Sequence, residues 1–133
     1  MTEEIRFLDP DEMMKANQDY ISRMEREGLD AVYDATLDTL FIEIGGPKEA
    51  LSEHLADNIM IRVDPDTLRI EGLEILDFFE DFLPNNRLAQ SLVQDLELRQ
   101  GQDSRLALME PRFKHIREVI AALVPSYTPS TST

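Results

Sequence analysis

The middle of the chain constrains the fold most strongly, because apolar and polar residues alternate there with a period of two. This period is typical of β-strands that bury one face. Residues 31–33 and 39–44 are separated by a turn-like stretch that has an Asp at each end. We therefore predict a first β-hairpin, in which one face of the second strand is aliphatic. The aliphatic positions are Leu40, Ile42 and Ile44, and Phe41 falls on the opposite face.

A second hairpin is predicted from residues 58–63 and 68–71. The sequence Asp64-Pro65-Asp66-Thr67 between them is typical of a tight turn, because Pro presets the backbone at the second turn position. We expect Gly72 to allow a β-bulge, which would shift the residues that follow it relative to those before. Residues 47–56, between the two hairpins, fit either a short helix or a loop.

Helical patterns flank the β region. Apolar residues recur at three- and four-residue steps between a start at Asp9-Pro10-Asp11 and an end near Gly28, which predicts an amphipathic N-terminal helix. Residues 75–83 fit a very apolar short helix, and residues 86–96 fit a second helical stripe.

The segment from residue 94 to residue 109 allows two interpretations. Leu96 and Leu98 could pair with Leu106 and Leu108 as a hairpin around Gly101. We prefer a helix, because the four-residue spacing begins well before Leu96. Helical spacing returns over residues 106–123, where Pro111 predicts a kink or a fresh helix start.

These elements predict an α+β fold with an antiparallel four-stranded sheet made of two hairpins. The N-terminal helix and two or three C-terminal helices are expected to pack on this sheet. We expect a single domain over residues 1–124, with a β core at 31–76, followed by a flexible Ser/Thr/Pro tail at 125–133.

The composition excludes several classes of protein. The 133 residues include 27 acidic and 13 basic side chains, for a net charge of −14, and no Cys. A disulfide scaffold, a Cys-based zinc site and a thiol enzyme are thereby excluded, and nucleic-acid binding is disfavoured because it requires a basic surface. The most apolar stretch, 73–83, is too short and too charged to span a membrane, and no signal-peptide pattern is visible. We therefore expect a cytoplasmic protein with no membrane partner.

Four short motifs in the β region carry a family resemblance. They are Tyr33-Asp34, Asp38-Thr39-Leu40-Phe41-Ile42, Ile61-Arg62-Val63-Asp64-Pro65-Asp66 and Gly72-Leu73-Glu74-Ile75-Leu76. Together they resemble domain-of-unknown-function family 2283, a family of small uncharacterised bacterial domains. Thr67-Leu68 stand where that family usually carries a Gly. The resemblance implies a small β-hairpin domain and no assigned chemistry, because the family has no established activity.

Candidate catalytic groups are few. His54, with Glu53 and Asp57 nearby, could act as a general base or a metal ligand, but no second His stands at ligand spacing. The pairs Asp34/Asp38 and Asp64/Asp66 could hold Ca²⁺ or Mg²⁺, but no calcium-binding loop is present, and Asp commonly caps turns. We therefore predict no catalytic, cofactor-binding or metal-binding residues.

The leading functional hypothesis is a non-enzymatic interaction module that acts as a homodimer. Surplus apolar residues motivate it, although several Phe in a short helix are also typical of an ordinary core. The possible interface residues are Phe41, Met60, Phe78, Phe79 and Phe82.

Two further hypotheses remain open. The charge is uneven, with a net −10 over residues 31–84 and +1 over residues 85–133. The acidic middle is consistent with an inhibitor or antitoxin-like partner of a basic protein. The third hypothesis is a small metal-dependent hydrolase that uses His54.

Overall fold

The computed structural model describes residues 10–45, 49–109 and 112–123. They form one antiparallel six-stranded sheet, in the order β3-β4-β5-β2-β1-β6, together with helices. The strands are β1 (Leu29–Asp34), β2 (Thr39–Ile44), β3 (Leu51–Ala56), β4 (Ile59–Val63), β5 (Ile70–Ile75) and β6 (Ser104–Leu108). The helices are α1 (Pro10–Ala16), α2 (Tyr20–Glu27), a π-helix (Phe78–Phe82), α3 (Leu83–Asn85), α4 (Arg87–Leu96) and α5 (Arg112–Leu123).

The α+β class is confirmed, but the predicted four-stranded sheet is wrong because the sheet has six strands. The two additional strands, β3 and β6, lie at its two edges. An edge strand pairs on one side only and keeps polar residues, so its sequence pattern is weak. β3 occupies the segment for which the sequence allowed only a helix or a loop, and β6 occupies residues assigned to a helix.

The predicted hairpins are present, and the predicted bulge lies where β4 pairs with β5. Arg62 aligns with Gly72, whereas the next residue, Val63, aligns with Ile70, so Glu71 is the extra residue. The turn before β5 is held by Asp64, whose Oδ1 accepts the backbone N–H groups of Asp66 (2.8 Å) and Thr67 (3.2 Å).

The predicted N-terminal helix is two helices. The break falls around Asn17, which is fully buried. Its side-chain amide donates to the Leu68 carbonyl (2.9 Å), and its Oδ1 accepts the N–H of Ile70 (2.8 Å). The helix is thus interrupted at the point where the Asn17 side chain bonds to the backbone at the start of β5. α2 ends at Gly28, as the sequence predicts, where φ is +87°.

The C-terminal helices follow the sequence in part. α4 coincides with the predicted stripe at 86–96, and α5 begins afresh at Arg112. Ile75, which was assigned to a helix, closes β5 instead, and the helix of residues 78–82 has π geometry. The predicted tail, 125–133, lies outside the described residues.

All the described helices that carry buried side chains contribute to one core on one face of the sheet. Tyr20 and Met24 of α2, Leu92 of α4 and Ile116 of α5 join the buried residues of every strand from β1 to β6 except β3. None of the helices within the described ranges is both long and apolar enough to cross a membrane. The fold is therefore a two-layer arrangement, with α2, the π-helix, α4 and α5 on one side of the sheet.

Candidate functional site

The face of the sheet opposite the core is the candidate functional site, and we call it the open face. Strand alternation places Val32, Phe41 and Met60 there. All three side chains are half-buried, and none belongs to the core cluster. Val32 pairs with Phe41, and Glu74 of β5 lies between Phe41 and Met60. The open face therefore carries a row of three apolar side chains, interrupted by one carboxylate.

The charges around this row are paired within the open face. Arg105 Nη1 lies 3.5 Å from Asp30 Oδ2 and 4.0 Å from Glu43 Oε1, and Arg62 Nε lies 3.8 Å from Glu74 Oε2. Three carboxylates and two guanidinium groups give these five residues a net charge of −1, in a chain whose net charge is −14. These five charges therefore nearly cancel on the open face.

The residues proposed from sequence as an interface fall in two places. Phe41 and Met60 lie on the open face, whereas Phe78 (0% exposed) and Phe82 (5% exposed) are in the core. Phe79 is half-buried against the core, with its ring 5.2 Å from that of Phe78 and 5.3 Å from that of Tyr33. Only Phe41 and Met60 of the five are therefore positioned to meet a partner on the open face.

Several members of the open face were missed by sequence reasoning. The positions next to the buried residues in each strand indicate this face, and that alternation was the available signal. The missed residues are Asp30, Val32, Arg62, Glu74 and Arg105.

The acidic turn residues have structural partners. Asp34 Oδ1 accepts the N–H of Leu37 (3.1 Å), and the carboxylate of Asp38 accepts the N–H groups of Phe79 and Glu80 (3.0 Å each). Asp38 also accepts the hydroxyl of Tyr33. Burial raises the pKa of Tyr33, and the carboxylate of Asp38 raises it further. Asp34 thus closes the β1–β2 turn, and Asp38 links that turn to the start of the π-helix.

His54 lies on β3 and is exposed. Its Nε2 lies 3.5 Å from the backbone oxygen of Asp57. The structure therefore places the imidazole next to a carbonyl of the β3–β4 turn, and it shows no hydrogen bond or ion pair between His54 and the Asp57 carboxylate. Over residues 10–45, 49–109 and 112–123, no three His, Asp or Glu side chains are grouped so that they could hold a metal ion.

A second feature is an acidic end of the molecule. The β1–β2 turn, the β3–β4 turn, the π-helix and the segment before β6 all lie at the same end of the sheet, because the strands that they follow or precede are antiparallel. Hydrogen bonds link these segments: Ala35 N–H donates to Asp103 (2.7 Å), and the Asn58 side chain donates to Asp81 (3.2 Å). We define the acidic end as Asp34, Asp38, Asp57, Asp77, Glu80, Asp81 and Asp103.

Comparisons with protein-family models, with curated proteins and with solved structures find no match to this chain. Only the geometry and chemistry of its own residues therefore bear on its function.

Proposed function

We propose that this protein is a non-enzymatic interaction module that acts as a homodimer, with the open face of one copy packed against that of another. The observation that carries the proposal is the position of Val32, Phe41 and Met60 in one cross-strand row outside the core. When a second apolar surface removes such a row of side chains from water, the free energy falls, and this favours association.

The charge distribution favours a second copy as the occupant of this face. Two copies that each carry −14 repel one another wherever their acidic surfaces meet. On the open face, Arg62 and Arg105 offset most of the charge of Asp30, Glu43 and Glu74, so repulsion between two such faces is reduced. An isologous two-fold contact is also the commonest way in which identical chains associate.

The molar mass in solution tests this proposal. By light scattering over a range of concentrations, the wild-type protein is expected to have at least twice the chain mass of 15.3 kDa. Phe41→Thr replaces the ring with a small β-branched side chain that also favours strands, and it should shift the protein toward smaller species. Leu37→Thr is the matched control, because Leu37 is 59% exposed in the β1–β2 turn rather than on the open face.

Two results would contradict the proposal. A wild-type mass of 15.3 kDa at every concentration would exclude a homodimer. An unchanged mass for a folded Phe41→Thr variant would exclude the open face as the contact.

A second candidate function is an acidic inhibitor or antitoxin-like partner of a basic protein. The clustering of seven carboxylates at the acidic end supports it, because such a field attracts cations over several ångströms at low ionic strength. Titration calorimetry with an oligolysine peptide tests it. Glu80→Lys should weaken binding, whereas Asp66→Lys, in the β4–β5 turn away from this end, should not. Equal effects of the two variants would mean that only net charge matters.

A cytoplasmic location also belongs to the proposal.

A further inference from the structure

We propose that the outer edge of β6 is a second contact between copies of this chain, in which β6 pairs antiparallel with β6 of another copy and continues the sheet. This contact uses a different surface from the open face and does not depend on it. Among the described residues, no strand lies beyond β6, which ends the order β3-β4-β5-β2-β1-β6.

The backbone pattern shows which groups the edge offers. The N–H of Gly45 donates to the carbonyl of Gly28, so the even-numbered residues of β1 direct their backbone groups toward β2. Backbone groups of successive residues in a strand point to opposite sides, so the odd-numbered residues of β1 face β6. These pair with Ser104, Leu106 and Leu108. The N–H and C=O groups of Arg105 and Ala107 therefore point outward.

The two edges of the sheet differ in how well they are protected. β3 carries a register shift between His54 and Ala56, and Glu53 aligns with the core residue Ile61, which places a charge on the core side of that edge. Bulges and inward-directed charges discourage strand pairing. β6 keeps a regular register with β1 over all five residues and contains no Pro or Lys. The β6 edge is thus the one suited to accept another strand.

The sequence of β6 is complementary to itself. An antiparallel pair centred on Leu106 places Leu106 against its own counterpart, Arg105 opposite Ala107, and Ser104 opposite Leu108. No two like charges lie directly opposite one another in this register. Leu106 is half-buried at the margin of the core, and its counterpart would cover it. The core layer would then continue from one copy to the next.

Charge also favours a second copy at this edge. β6 contains no acidic residue, and its one charged side chain, Arg105, already pairs with Asp30 and Glu43. Two β6 edges can therefore approach without bringing acidic side chains of the strand together, in a chain whose net charge is −14.

Residue-resolved hydrogen exchange of the wild-type protein tests the inference. The outward amides of Arg105 and Ala107 should exchange at least ~10-fold more slowly than the outward amides of Ser52 and His54 on β3, and the difference should grow with protein concentration. The N–H of Leu76 donates to the carbonyl of Asn58, so the even-numbered residues of β4 direct their backbone groups toward β5 and the odd-numbered ones toward β3. Ser52 and His54 align with even-numbered residues of β4, so their own N–H groups point away from the sheet. Equal exchange rates at the two edges would overturn the inference.

Variants separate this contact from the open-face contact. Phe41→Thr should still self-associate, and adding Ala107→Pro, which removes an outward N–H, should reduce the mass to 15.3 kDa. Adding Ser52→Pro instead should leave the association intact. A Phe41→Thr variant that is already monomeric would overturn this inference while leaving the proposed function in place, and a monomeric wild-type protein would overturn both. Should Ala107→Pro fail to fold, the exchange rates of the wild-type amides still test whether the β6 edge is a contact.

Discussion

The hydroxyl of Tyr33 donates a 2.5 Å hydrogen bond to Oδ1 of Asp38 across the β1–β2 turn. The same carboxylate accepts the N–H groups of Phe79 and Glu80 at the start of the π-helix. Asp38 itself adopts a positive φ of 51°, which Asp tolerates better than most residues. One carboxylate thus joins the first hairpin to the first helix after the sheet.

Removal of the Tyr33 hydroxyl is expected to destabilise the protein. Tyr33→Phe keeps the ring contacts but removes a hydrogen bond to a charged acceptor, so the free energy of unfolding should fall by about 1.5 kcal/mol in urea denaturation. Asp66→Asn, in an exposed turn position, is the control and should change the free energy by less than about 0.5 kcal/mol. Equal stability of Tyr33→Phe and the wild type would show that the bond contributes nothing.

Stability is expected to fall at alkaline pH because of the two buried tyrosines. Burial raises the pKa of Tyr20, and burial together with the Asp38 carboxylate raises the pKa of Tyr33, both from an ordinary value of 10.0. Above that pH the unfolded chain releases protons that the folded chain retains, so the contribution of the two tyrosines to the free energy of unfolding should be constant below about pH 10 and decline above it. Each tyrosine contributes a slope of up to about 1.4 kcal/mol per pH unit.

Denaturation at a series of pH values measures this slope, and Tyr33→Phe should make it shallower. A slope that Tyr33→Phe leaves unaltered would mean that Tyr33 does not carry this pH dependence.

Arg23 is expected to be essential for stability. Its side chain is 2% exposed, and it donates to the carbonyl of Ile70 (2.8 Å) and to Oε1 of Glu71 (2.9 Å). Arg23→Ala would leave a largely buried carboxylate without this guanidinium, so we expect a loss of about 3 kcal/mol in urea denaturation. Arg26→Ala on the same helix is the matched control, since Arg26 is 59% exposed, and it should cost less than about 0.5 kcal/mol. Similar losses for the two variants would argue against a buried ion pair.

Two phenylalanines are expected to respond differently to truncation. Phe78 is fully buried, so Phe78→Ala should lower the free energy of unfolding by about 4 kcal/mol, through lost burial and a cavity. Phe41 is half-buried on the open face, so Phe41→Ala should cost about 1 kcal/mol in the dissociated protein. Chemical denaturation at low protein concentration gives both values. A reversed order would contradict the assignment of Phe78 to the core.

Gly72 is expected to tolerate no side chain. A Cβ at this position would lie 2.4 Å from the carbonyl oxygen of Ile42 in the neighbouring strand, so Gly72→Ala must displace backbone and should cost about 2 kcal/mol or more. Gly101→Asn is the control, because Gly101 has a φ of +82° with open space around it, and Asn accepts that conformation. Thermal denaturation compares the two variants, and a Gly72→Ala protein as stable as the control would refute the close approach.

The turn residue Leu68 adopts a backbone conformation that its residue type disfavours. Leu68 adopts a φ of 63°, a conformation that favours Gly. The carbonyl of Leu68 accepts the amide of Asn17, and its side chain packs against the core. These tertiary contacts hold a backbone conformation that the local sequence disfavours.

Local sequence determined the parts of this protein whose signals are periodic or confined to a few residues. The alternation in β2 and β4, the Asp64-Pro65-Asp66-Thr67 turn, the bulge beside Gly72 and the end of α2 at Gly28 were all predicted correctly. Each depends on side chains within a few positions of one another. Over a few residues, local steric effects and hydrogen bonds follow directly from the residue types, so the sequence predicts these features.

Tertiary structure alone decided which strands form the edges and which face remains open. β6 pairs with β1 across 75 residues in the alignment of Ala31 with Leu106, and β5 lies beside β2. Such pairing depends on backbone groups that every residue carries, so the alternation of Leu106 and Leu108 does not show which strand β6 lies beside. The burial of Arg23 against Glu71 and of Phe78 in the core likewise follows from where distant elements meet. Local residue preferences do not specify these contacts, because the contacts depend on the packing of the whole chain.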